Sequence, residues 1–349
     1  MSQINAVAHA DSIGRIAELI GGDPTERVDA DMKHVLDAME ALGARPLEMM
    51  TPGSARRQPG LKDAVRAILL RQGRGISDDG VEAEDVAYPG AEGELSARIY
   101  RPVGLLSRLN PMVLYFHGGG FVTGDLDSHD ASARTLARRT GAIVISADYR
   151  LAPEAKFPAA HDDAIAAWQW LLKAARELHG DPRRIALAGE DAGANLCMHI
   201  ALVAREAGQG QPVHQLLIHP IAGGDMTRPS YGEMLRGRPV GMPGMHWRMR
   251  HALEDREQLK DKRIELVGRD DLAGLPPTTL VLAELDPLRS EGEALAEALE
   301  GAGVKSNVLS YDGVVQGFFG LGVIVNKALF AQSDASEILV KAFVPGQRS

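Results

Sequence analysis

The stretch Ile185-Ala-Leu-Ala-Gly189-Glu190-Asp191-Ala192-Gly193 runs from four apolar residues into a turn edged by glycine and alanine. A short apolar run bounded by turn residues suits an interior strand, and the residues from Ala192 onward suit a helix. The junction therefore reads strand, sharp turn, helix. The same grammar recurs on both sides. Upstream, Val113-Leu-Tyr-Phe116 runs into three glycines, and Ala142-Ile-Val-Ile145 is a further apolar run. Downstream lie Val213 to Ile218, Thr279-Leu-Val-Leu-Ala283 and the weaker Ser306 to Tyr311. Leu95-Ser-Ala-Arg-Ile-Tyr100 alternates with period two, as a half-buried strand does. Helical stretches lie between, one with Ile165, Trp168 and Leu172 on a single face. Strands alternating with helices predict a mainly parallel sheet, flanked by helices on both sides.

Four segments carry chemistry. In His117-Gly118-Gly119-Gly120-Phe121, glycines directly after a strand let the backbone approach a ligand and aim N–H groups at one point. Such groups stabilise charge developing on a carbonyl oxygen. The plainer alternative is a tight turn with no ligand. A dinucleotide fingerprint does not fit, because Gly118-x-Gly120 is followed by Thr123 where the third glycine belongs. Gly189-Glu190-Asp191-Ala192-Gly193 has the shape of a nucleophile elbow, G-x-S-x-G, with Asp191 at its centre. Ala283-Glu-Leu-Asp286-Pro-Leu-Arg289 places an acid just past a strand, and Tyr311-Asp-Gly-Val-Val-Gln316-Gly-Phe-Phe319 follows the last one.

Together these segments resemble the hormone-sensitive-lipase-like carboxylesterases. The resemblance extends to Thr51-Pro52-Gly-Ser-Ala-Arg56, Asp148-Tyr149-Arg150-Leu-Ala-Pro153-Glu154, Phe157-Pro158-Ala-Ala and Leu275-Pro-Pro277, covering roughly residues 30 to 345. It implies an α/β-hydrolase fold and hydrolysis of short acyl or aryl esters by serine, histidine and aspartate, without a cofactor. It places the oxyanion hole on Gly119, Gly120 and Ala192 and the triad acid on Asp286, with His117, Gly118 and Glu190 as supporting residues. Where the family has serine this chain has Asp191, and where it has histidine it has Gln316. The resemblance also implies a homodimer through an edge strand.

Serine needs a neighbouring base to become a nucleophile, and glutamine cannot relay a proton. Its amide could donate to Asp286 and to Asp191. An ordinary carboxylate is ionised at pH 7 without help, so the two departures are mutually consistent. Four readings follow. Asp191 acts as a general acid/base beside an intact oxyanion hole, on a small, largely apolar ester or carbonyl compound, with chemistry extending to lyase or cyclase types. Asp191 attacks an sp³ carbon. The chain is a pseudoenzyme that keeps its pocket for a ligand. Or it is an engineered variant of an ordinary esterase. The sequence favours the first.

Other residues are less informative. His219 ends a strand and His246 lies in an insertion, so either could enter the pocket. His161 beside Asp162 and Asp163 reads as a solvated helix start rather than a metal site, and no metal is expected. Cys197 reads as a small buried residue. It is the one cysteine, so no internal disulfide exists.

The 349 residues are 45% hydrophobic, which suffices for a substantial core. A net charge of −9 argues against duplex nucleic acid as a partner, because phosphate binding needs a basic face. Basic groups such as Arg56-Arg57 and Arg138-Arg139 read as solvated surface. No apolar run is long enough to span a membrane, so a cytoplasmic protein with a small-molecule ligand is expected. Residues 1–75 read as a helical cap segment with stripes Ile13, Ile16, Leu19, Ile20 and Met32, Val35, Leu36, Met39, interrupted by Pro24, Pro46, Pro52 and Pro59. Residues 76–349 read as the main domain. A Met-rich insertion at about 223–274, with Met242, Met245, Trp247 and Met249, adds to the cap.

Overall fold

The computed structural model describes residues 24–75, 80–105, 109–208 and 210–344. The stripe over Ile13, Ile16, Leu19 and Ile20 lies outside them. Eight strands form one sheet: β1 Val81–Gly90, β2 Gly93–Pro102, β3 Asn110–Phe116, β4 Ile143–Ala147, β5 Gly180–Glu190, β6 Gln215–Ile218, β7 Thr278–Leu285 and β8 Ser306–Val315. Their order is β1-β2-β4-β3-β5-β6-β7-β8. The pairs β1–β2 and β2–β4 are antiparallel and every other pair is parallel, with Val113 level with Val144 and Ala186.

The interior strands are apolar on both faces because both faces are covered. Met112, Leu114 and Phe116 point into one core with Ile143, Ile145 and Leu187, under helices Ala159–Ala174, Ala192–Glu206 and Arg289–Gly301. Val113 and Tyr115 point into the other, under helices Ala30–Ala41, Asp130–Thr140 and Asn326–Ala342. Each fully buried aliphatic side chain contributes roughly 1.5–3 kcal/mol of transfer free energy. Strand β1 escapes the sequence reading for a physical reason. It is a mostly polar edge strand, Val81-Glu-Ala-Glu-Asp-Val-Ala-Tyr-Pro-Gly90, whose exposed residues give no apolar run.

The N-terminal residues lean on the segment between β6 and β7. Met32, Val35 and Leu36 are buried, and Trp247 Nε1 donates to Met50 O at 2.9 Å. Arg56 is not the solvated residue its charge suggests. Its guanidinium donates to Val122 O, Ala152 O and Glu154, tying the N-terminal segment to the glycine loop. Among the described residues no helix is long and apolar enough to cross a membrane.

Candidate active site

Parallel strands deliver their carboxyl ends to one edge of the sheet, where ligands bind in open α/β sheets. Here those ends bring the glycine loop after β3, Asp191 after β5, His219 after β6, Asp286 after β7 and Gln316 after β8. Asp191 sits at φ 54°, ψ −111°, outside the regions that L-residues prefer. Its neighbours must be small. A Cβ on Gly189 would meet the backbone of Gly193 and Ala194, and one on Gly193 would meet the carbonyls of Phe116 and His117. Asp191 N–H donates to Ile218 O (2.9 Å) and its carbonyl accepts from Ile221 N (3.1 Å), so the turn is pinned to the loop after β6.

The Asp191 carboxylate is 2% exposed, and it points into the site. Oδ2 accepts from Gly119 N–H at 3.1 Å and from Arg248 Nη1 at 2.8 Å, while Oδ1 is buried without a partner. Arg248 belongs to helix Met242–Ala252 in the insertion and is itself only 6% exposed. The same Nη1 donates to Gln316 Oε1 at 3.3 Å. A buried ion pair of this kind repays its desolvation only when its geometry is good and its remaining hydrogen bonds are met. Several are not. Asp191 Oδ1, Arg248 Nε, Gln316 Nε2 and Asp286 Oδ2 are all buried without partners among the described residues.

Two expectations are corrected here. Gln316 does not bridge Asp286 and Asp191, because its carbonyl oxygen has turned toward the Arg248 guanidinium, the strongest donor nearby, and its amide nitrogen is left unpartnered. The glycine loop has the right form, with Gly119 at φ 120° and Gly120 at φ 60°, but it is not a vacant oxyanion hole. Asp191 occupies the Gly119 N–H, and the Arg248 stem lies against Gly120, where a Cβ would collide with Cβ, Cγ and Cδ of the arginine. Ala192 opens its helix, so its N–H has no helical partner.

The supporting residues hold this arrangement. His117 bridges Gly118 O (2.7 Å) and Asp148 Oδ1 (3.1 Å) and stacks on Tyr149, whose hydroxyl donates to His117 O. Gly118 N–H donates to His129 Nε2, and burial pulls that imidazole down to about 4. Glu190 turns away from Asp191. Its Oε1 accepts from Tyr115 OH at 2.7 Å, and its Oε2 lies 3.5 Å from His219 Nε2. Burial would raise the Glu190 carboxyl, but the His219 hydrogen bond and the nearby imidazoles hold it down to about 2. Burial disfavours the charge on His219, yet Glu190, Asp286 and Asp191 together raise it above the ordinary imidazole range. The same Nε2 lies 3.3 Å from Gly317 N, and among the described residues His219 is not hydrogen-bonded to Asp191. Asp286 Oδ1 accepts from Leu288 N at 2.8 Å, and burial pushes its carboxyl up to about 6.

The remaining candidates fall elsewhere. His246 is exposed and does not enter the site. His161 is not solvated: it is 1% exposed and bonded to Asn195, while Asp163 is buried against Arg150, so this helix start is internal packing. Cys197 is buried, and burial pushes its thiol well up. Among the described residues no group of three potential ligands could hold a metal ion. Arg248 is the residue that the sequence reading missed. Its signal was available: it lies three residues after Met245 and four before Ala252, on the apolar face of its helix, where a charge needs a partner.

Known proteins agree with this architecture. Residues 113–320 match the family described as alpha/beta hydrolase fold. Carboxylesterase NlhH of Mycobacterium tuberculosis is 37% identical over 266 residues, 75% of this chain and 82% of that protein. Ethyl acetate hydrolase of Pseudomonas putida is 32% identical over 287 residues, 81% and 88% of the two chains. Among solved structures, the ester hydrolase EH1AB1 from the metagenome of Lake Arreo superposes with a TM-score of 0.80 at 32% identity, covering 90% of this chain and 99% of that one. With this sheet, this elbow and these relatives, the chain belongs to the α/β-hydrolase family and is carboxylesterase-like.

Proposed function

We propose that this chain is a hormone-sensitive-lipase-type relative of the carboxylesterases in which Asp191 stands at the serine position and Gln316 at the histidine position. In this reading acyl-enzyme hydrolysis is lost, and the site is retained for binding a small, largely apolar ester or carbonyl compound. The N-terminal segment and the insertion together would cover it as a cap. The observation that supports this best is the ion pair of Asp191 with Arg248. A carboxylate held on the Gly119 N–H fills the place of the oxyanion, as bound product would. Among the described residues no imidazole bonds to it, so a hydroxyl introduced at that tip would find no base among them.

A second reading keeps Asp191 as a general acid/base. It is favoured by Oδ1, which is buried with no partner and so retains lone pairs for a substrate proton. Both readings share the loss of serine-type hydrolysis.

The test is turnover of p-nitrophenyl acetate by the unaltered chain and by Asp191→Ser/Gln316→His. The expected result is no turnover above background for the first. Burst kinetics with the unaltered chain would end the proposal, because a burst reports an accumulating acyl-enzyme. Binding of a short-chain ester without conversion favours the first reading over the second.

A further inference from the structure

The loss of serine and histidine accounts for a missing nucleophile and a missing base, but not for Arg248. Helix Met242–Ala252 turns Met245, Arg248, Met249 and Ala252 inward. A guanidinium on a buried face is costly unless paired, and Asp191 pairs it at 2.8 Å. The stem matters as much as the charge. Its Cβ, Cγ and Cδ fill the space beside Gly120 where a side chain would begin, and Nη1 also touches Met245 Sδ at 3.5 Å. The helix that carries it is anchored by the hydrogen bond from Trp247 Nε1 to Met50 O. An acyl group approaching the face of the glycine loop on which a Gly120 side chain would stand meets this stem.

We propose that Arg248 is a third determinant of the site's silence toward esters, excluding the acyl group from the glycine loop by the bulk of its side chain. This rests on the preceding reading, that serine-type hydrolysis is lost, and adds a block independent of it. On this proposal, replacing Asp191 removes the charge partner but not the bulk of the stem beside Gly120. Arg248 is thus a specificity-determining residue, not a catalytic one.

The experiment compares kcat/KM for p-nitrophenyl acetate in three full-length chains: Asp191→Ser/Gln316→His, the same with Arg248→Ala, and the same with Arg248→Met. Methionine keeps the length of the stem without the charge, and alanine removes both. The expected ranking is alanine above the other two by about 10²-fold, the effect of restoring a denied oxyanion-hole donor. Methionine should stay close to the double variant. A role confined to folding would not separate alanine from methionine in this order. Should the alanine chain not fold, Arg248→Ser removes the same bulk.

Alanine no faster than the double variant, with both at zero included, overturns the proposal. Methionine as fast as alanine overturns it too, since charge rather than bulk would then be the block. Turnover by the unaltered chain strikes instead at the preceding reading, so the two failures are distinguishable.

Discussion

Two buried carboxyl groups, Glu291 and Asp191, are treated in opposite ways. Glu291, in helix Arg289–Gly301, has both oxygens occupied: Oε2 accepts from Ala222 N (2.8 Å) and Gly223 N (2.9 Å), and Oε1 meets Tyr231 OH at 2.5 Å. Burial pushes it up to about 8 against those donors, and its hydrogen bonds tie the loop after β6 to Tyr231. Asp191 is as deeply buried, but it is paired with a guanidinium, has one oxygen without a partner and is ringed by other unmet groups. A satisfied buried acid is an anchor. An acid surrounded by unmet donors and acceptors marks a place adapted to something other than stability.

The same acid-to-amide change should separate the two most sharply. Asp191→Asn leaves the Arg248 charge buried without a counter-ion and should cost about 3–5 kcal/mol in denaturant unfolding. Glu291→Gln can still accept the two N–H groups and donate to Tyr231, so it should cost no more than about 1 kcal/mol. Similar losses at both positions would erase the contrast.

Asp286 provides a sharper measurement through pH. Its folded carboxyl, pushed up by burial to about 6, titrates above its unfolded counterpart. The stability held by its protonated form is therefore present at acid pH and is lost as pH rises through about 6. Asp286→Asn should be more stable than the parent by about 2–3 kcal/mol at pH 7, and the gap should close between pH 6 and pH 4. A gap that does not change with pH would show that Asp286 is not held protonated by its surroundings. The smallest expected effect is that of Asp191→Leu/Arg248→Met, which removes the pair together. Its stability should fall within about 1 kcal/mol of the parent or above it, and a loss as large as that of Asp191→Asn would mean that the pair itself stabilises the fold.

Much of the architecture could be read from the sequence because interior parallel strands must be continuously apolar. Val113–Phe116 and Ile185–Ala188 announce themselves. Strand β1 could not be found that way, since its exposed edge needs no apolar run. At the site, Asp191, Asp286 and Gln316 were locatable because each follows a strand, and the chain order of those loops is fixed by the sheet. What Gln316 bonds to was not locatable. That depends on Arg248, 68 residues away and carried by a helix whose placement no local pattern specifies. The burial of His161 was hidden for a related reason: its partner Asn195 lies 34 residues on, in another helix.

The turn at Asp191 keeps a backbone conformation that costs of order 1–3 kcal/mol, though no hydroxyl is presented there. Its tightness is demanded by the crossing of the Gly193 backbone under β3, whatever stands at the tip. Shape at such a corner is therefore set by the packing and not by the residue at its tip. The outline of this corner reports the packing beneath it, and only the atoms at its apex report the chemistry.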